Sequence, residues 1–97
     1  MALTQFSFSR IETRAVPAVI ADDAVSETKT PSGSNGTTTA AATGSRNICR
    51  VATDTAVYVS FGPAPDASTD TSRFYMPAGA IEYYVVDSGW IAAVVTA

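Results

Sequence analysis

The sequence predicts a small all-β protein: an antiparallel β-sandwich or barrel-like meander carrying an extended N-terminal arm. Three observations lead there. Apolar and aromatic residues recur at a spacing of two in short runs, which places them on one face of an extended chain. Proline, glycine, aspartate and serine clusters separate those runs at turn-like intervals. Apolar residues make up 46% of the chain and charged residues only 15%, a balance suited to a packed core rather than a disordered coil. Ninety-seven residues suffice for one domain, and a monomer of this size buries roughly 64% of its unfolded surface. A core shared between subunits would supplement so modest a burial.

Residues 1–25 read as an arm. Phe6 and Phe8 share a face, and Val16, Val19 and Ile20 flank Pro17, which cannot donate to a sheet ladder and so marks an edge strand at best. Residues 26–47, "SETKTPSGSNGTTTAAATGSRN", hold no aromatic and no large aliphatic residue. Such a segment offers little apolar area to offset an ordering entropy of about 1–2 kcal/mol per residue. It is expected to be a linker or long loop, with a reach of about 25 Å as a coil and about 70 Å if extended.

Residues 48–97 carry the β domain. "ICRVA" is a short β-branched run, and "TAVYVSF" alternates, with Val57, Val59 and Phe61 on one face and Ala56, Tyr58 and Ser60 on the other. "GPAPDASTDTS" is a turn-rich connection, and "RFYM" leads into the proline–glycine corner "PAG". "AIEYYVV" puts Ile81, Tyr83 and Val85 on one face and Glu82, Tyr84 and Val86 on the other. "DSG" turns the chain into a last strand, "WIAAVV". Apolar residues on both faces of a strand favour a sheet covered on both sides.

The chemistry-bearing residues are few. With no histidine in the chain, the commonest general base, the commonest metal ligand and every Ser-His or Cys-His pair are missing. No phosphate-cradling glycine motif follows a strand. Asp66 and Asp70 share a loop, but a calcium ion needs six to eight oxygens, and solvated turn residues are the simpler expectation. A lone cysteine, Cys49, excludes an intrachain disulfide and reads as a buried strand residue. Five arginines and Lys29 are scattered among nine acids, for a net charge of −3; no basic stripe suited to phosphates results. Glu82, alone in an apolar strand, is expected to face solvent or to pair with Arg50 or Arg73. The clustered Phe74, Tyr75, Tyr83, Tyr84 and Trp90 suit either strand packing or a sticky interface. No secretion signal and no apolar run of membrane length is present, so a soluble chain made in a reducing compartment is expected. No enzyme, cofactor, metal, nucleic acid or membrane is implied.

From Ile48 to Val95 the chain resembles a group of short proteins encoded among the structural genes of tailed bacteriophages. The resemblance is carried by Arg50, Val51, Tyr58, Val59, Phe61, Gly62 and Pro63, then by Tyr75, Met76, Pro77, Ala78, Gly79, Glu82 and Tyr83, and last by Gly89, Ala93 and Val94. It implies a non-enzymatic virion protein of the capsid cement or decoration type, made in the host cytoplasm. Such a protein would sit on the outer capsid surface as a homo-oligomer, a trimer, bound to the major capsid protein. On that reading Phe6, Phe8, Val19 and Ile20 are arm anchors, while Phe61, Tyr83 and Trp90 hold sheet and subunit contacts. A head-completion, tail or fibre-adaptor protein, or a small host-directed binding module, are the alternative roles.

Overall fold

A computed structural model describes residues 2–12, 18–19, 25–44 and 46–97, with the side chains of residues 11, 12, 18 and 19 excepted. The described residues form strands and no helix. In chain order these are β1 (Thr4–Ser9), β2 (Ile11–Glu12), β3 (Ala18–Val19), β4 (Val25–Lys29), β5 (Gly36–Thr37), β6 (Ile48–Thr53), β7 (Val57–Gly62), β8 (Phe74–Met76), β9 (Ile81–Val85) and β10 (Ile91–Thr96). Two four-stranded antiparallel sheets, β4-β1-β6-β9 and β5-β10-β7-β8, make a small β-sandwich, and β2 and β3 pair separately. The all-β class is therefore as the sequence predicts.

All five expected strands between residues 48 and 97 are present, but they do not run as a meander through one sheet. The steps from β6 to β7, from β8 to β9 and from β9 to β10 each cross to the opposite sheet. Two crossings rest on one local device. In Pro77-Ala78-Gly79-Ala80 the Ala80 N–H donates to Pro77 O at 3.1 Å, and Gly79 takes a φ of 84° at the third turn position. Only glycine adopts that conformation without strain, as a type II turn requires. Gly79 N–H then donates to Thr53 O while Thr53 N–H donates to Ala80 O, so two residues oppose one in a glycine-led bulge. The same pattern recurs at Asp87–Trp90, with Gly89 at φ 87° and Ala42 as the opposed residue.

The expected arm over 1–25 needs correction at β1, while residues 13–17 and 20–24 of it lie outside the described residues. β1 is an interior strand, paired to β4 on one edge and to β6 on the other. Phe6 and Phe8 do share a face, but that face is the core: both are 0% exposed and pack with Cys49, Val51, Val57, Val59 and Met76. The physical reason is volume. The chain after residue 47 brings fully into the intersheet space only valines, Ala92, Cys49 and Met76, with Phe61, Tyr84 and Trp90 partly buried against them, and the two phenylalanine rings of β1 complete the filling. The expected linker over 26–47 is likewise corrected. β4 lies within sheet pairing, and the segment after it runs along β10: Ser32 O accepts Thr96 N–H, Thr38 N–H donates to Ala92 O, and Ala42 N–H donates to Trp90 O. Ordering is offset here by main-chain hydrogen bonds and by small buried side chains, Thr38 and Ala42, rather than by bulky apolar residues.

A second, smaller core covers the outer face of β7 and β10. Ala67 packs there on Ala93 and Val95 beside Tyr58. The connection from β7 to β8 is pinned over that face by Ser60 Oγ donating to Asp70 Oδ2 at 2.6 Å and by Asn35, whose Oδ1 accepts Ala67 N–H at 2.8 Å. Truncating a fully buried phenylalanine to alanine removes transfer energy and leaves a cavity, at about 3–5 kcal/mol. Phe6→Ala is therefore expected to lower the urea midpoint by an amount equivalent to about 3–5 kcal/mol. An exposed arm residue would give no measurable shift.

Candidate functional site

The two long sides of the sandwich are finished differently. On the β4/β5 side, Glu27 reaches from the edge strand β4 to the segment just after β5. Its Oε1 accepts the N–H groups of Thr39 and Ala40, each at 2.9 Å, and the Thr39 hydroxyl at 3.0 Å. Burial alone would raise the Glu27 carboxyl; the donors from Ala40 and Thr39, with Lys29 nearby, outweigh it and hold the group below its ordinary value. This carboxylate lies in the stretch that reads as linker, and no sequence motif singles it out.

The opposite side, between β8 and β9, is open. Phe61, Ser72, Phe74, Tyr83, Tyr84, Val85 and Trp90 line a groove of about 390 Å³ there. Register explains the composition. Val59 faces Phe74 and Val57 faces Met76, so Phe74 points to the intersheet space from an edge strand. Tyr84 faces Cys49, which faces Phe8, so its ring enters the same space from the other sheet. The rings meet, Phe61 to Tyr84 at 5.0 Å and Phe74 to Tyr84 at 4.8 Å between centroids, in tilted arrangements favourable for aromatic pairs. Burial, and after it the charges of Glu82 and Cys49, push the Tyr84 phenol above its ordinary value, so it stays a neutral donor.

Beside the groove, and reaching its rim through Tyr83 and Val85, the outward face of β9 is apolar and uncovered. Ile81 is 51% exposed, Tyr83 52% and Val85 76%, with Phe74 and Tyr75 also exposed on β8. Main-chain parity adds to this. Thr53 N–H bonds Ala80 O and Val86 N–H bonds Asn47 O at the two ends of the β6–β9 ladder. Bonded pairs in an antiparallel ladder fall on every second residue, so Ala80, Glu82, Tyr84 and Val86 turn their N–H and C=O toward β6. Those of Ile81, Tyr83 and Val85 point away from the sheet.

Of the residues singled out in the sequence, Phe61, Tyr83 and Trp90 converge on this groove. Phe6 and Phe8 belong to the core instead, and the Val19 side chain and Ile20 lie outside the described residues. Ile81 and Val85 share the face of Tyr83 by simple alternation, and that signal would have found them had the strand been recognised as an edge. Glu82 stands in register with Val51 and Phe6 on the inward side, yet it is exposed because β9 is the last strand. Arg50 pairs with Tyr83 on the opposite face, and Arg73 is used elsewhere: its guanidinium lies 4.1 Å from the Tyr58 ring centre and donates to Ala67 O and Ser68 O.

The acidic loop residues act locally. Asp66 is held below its ordinary value by hydrogen bonds from the Ser68 hydroxyl and Ser68 N–H, and Asp70 by the Ser60 hydroxyl and the Asp66 N–H. Among the described residues no cluster of three or more His, Cys, Asp or Glu could hold a metal ion. Cys49 is buried, and burial pushes its thiol up to about 12 against a backbone hydrogen bond from Ser7. No helix among the described residues is long and apolar enough to cross a membrane. Comparison with known protein families, with curated proteins and with solved structures finds no match to this chain.

Glu27 also sets a pH dependence. A carboxyl whose folded pKa is depressed contributes stability that is fully present above its unfolded value, 4.5, and is lost as pH falls through the lower folded value. Glu27→Gln is therefore expected to lower the urea midpoint at pH 7, with the gap from the parent protein closing as both are taken below pH 4.5. A gap of equal size at pH 7 and in acid would show that the carboxylate charge is not what holds the β4/β5 side together.

Proposed function

We propose that this chain is a non-enzymatic capsid cement protein of a tailed bacteriophage, which binds the outer capsid shell and stabilises it. The observation that carries the reading is the open β8/β9 side: uncovered Phe74, Tyr75, Ile81, Tyr83 and Val85 beside an aromatic groove, on a chain without histidine. Proteins normally blunt such edges with lysine, proline or a covering segment, because an exposed apolar edge pairs with foreign strands. In an assembly protein that same property becomes the means of attachment, with main-chain groups giving affinity and side-chain pockets giving specificity. Aromatic residues are the side chains most often found at the centres of protein contacts. The resemblance of residues 48–95 to short virion proteins supplies the setting: the partner is the major capsid protein, and the site of action is the capsid surface.

A different attachment results from the interior position of β1. The shell contact does not depend on Thr4–Ser9 acting as part of a free arm, because Phe6 and Phe8 are spent on the core. Phe74 and Tyr75 on β8, with the groove behind them, are the contact for the capsid protein. Quantitative mass spectrometry of purified particles of the encoding phage tests the reading. A copy number in the hundreds, comparable with the capsid subunit, is expected; about a dozen copies would place the protein at the neck or tail, and its absence would overturn a virion role.

A further inference from the structure

We infer that the β9 edge is occupied by the β9 edge of a second copy of this chain, joined antiparallel about a two-fold axis through Tyr83. The inference rests on the reading of the β8/β9 side as an assembly surface and names the partner of its β9 half.

The argument begins with the main chain. Only residues whose N–H and C=O point outward can bond an added strand, and on β9 these are Ile81, Tyr83 and Val85. An antiparallel ladder joins outward residues of one strand to outward residues of the other. Centring on Tyr83 is the register that uses all three: Ile81 meets the second Val85, Tyr83 meets the second Tyr83, and Val85 meets the second Ile81. The main-chain groups of both edges are then fully matched within the five residues of β9.

Side chains select the same register. With the axis perpendicular to the sheet, outer faces remain outer faces, and the exposed Ile81, Tyr83 and Val85 form one continuous apolar stripe with their counterparts. Directly opposed aromatic and β-branched residues are favourable cross-strand pairs. On the inward face Glu82 lies opposite the second Tyr84, so each carboxylate meets a neutral phenol, the state in which burial and the Glu82 charge hold Tyr84. A slip of the axis to residue 82 would bring the two Glu82 carboxylates face to face, which is unfavourable for like charges directly opposed. A slip to residue 84 loses one bonded pair and faces Glu82 with Val86. The edge is thus self-complementary in main-chain hydrogen bonding and in side-chain pairing, with no like charges opposed, as an isologous contact requires. Its product is a closed dimer with a continuous eight-stranded sheet, rather than the trimer that the resemblance implies. Tyr75 and Phe74 stay on β8, in the other sheet, for the shell.

Sedimentation equilibrium on the full chain at neutral pH is the test. The parent protein is expected to sediment at twice the 10.0 kDa chain mass, and Ile81→Lys with Val85→Lys, both at exposed positions, should give a folded monomer. A monomeric or trimeric parent protein, or a dimer indifferent to the two lysines, would overturn the inference. Should the double variant fail to fold, Tyr83→Cys gives an independent reading. Facing residues in a bonded antiparallel pair have Cα atoms about 5.5 Å apart, within the range a disulfide spans. Mild oxidation should therefore yield a covalent dimer through position 83, whereas Ser88→Cys in the adjacent turn should stay monomeric; no cross-link at 83, or equal cross-linking at both, overturns it. Cys49 is buried and does not compete. A monomeric protein that is nevertheless abundant on particles would remove the two-fold contact and leave the cement role standing.

Discussion

Phe6 and Phe8 enter the space between the sheets from a strand bonded on both edges, and the other elements are arranged around that insertion. Between them they touch core residues from both sheets, and the remaining core side chains are valine, alanine, cysteine and methionine. In so small a protein, where the buried fraction of surface is modest, two fully buried rings are a large share of the available hydrophobic stabilisation, at about 1.5–3 kcal/mol each. Their strand also fixes the topology. With β1 between β4 and β6, Thr4–Ser9 and Val25–Lys29 supply two of the four strands of one sheet, and the segment after Lys29 is delivered to the edge of the other.

This topology leaves the two sides of the sandwich unequal. One side is finished by main-chain bonds along β10 and by the Glu27 carboxylate gathering the Thr39 and Ala40 N–H groups. The other side ends in two edge strands whose inward positions carry rings and whose outward positions carry Ile81, Tyr83 and Val85. Nothing in the chemistry of folding demands that the second side be left open, since polar residues at those three exposed positions would leave the core unchanged. Both the proposed shell attachment and the proposed two-fold contact use that unfinished side, through different strands.

The strands after residue 47 were legible because each obeys the period of two and ends at a turn with its own chemistry; "MPAGA" and "DSGW" even encode the glycine-led bulges that swing the chain from one sheet to the other. The period of two also put Phe6 and Phe8 on one face. It could not say which partner that face meets, because alternation is local and the partner strands lie some twenty and forty-five residues away. The Ser/Thr/Gly/Ala segment misled for a related reason. Composition measures how much apolar area a segment can bury, but this one is held by main-chain hydrogen bonds to β10, which leave no mark on side-chain identity. The aromatic cluster of the last quarter was visible as a cluster, and Tyr83 and Trp90 of it line one groove with Phe61. Its division into groove, edge stripe and core depends on register across three strands, which no single run of sequence specifies.

Residue-resolved amide hydrogen exchange on the free protein addresses the integration of the first half of the chain most directly. The amides of Phe6 and Phe8, together with those of Thr38 and Ala42, should exchange only through global unfolding, at rates matching the interior amides of β6 and β7. Rapid exchange throughout residues 2–44 beside a protected 48–97 would contradict the account. The N-terminal half would then be an arm and linker after all, and the sandwich would have to be closed by another chain.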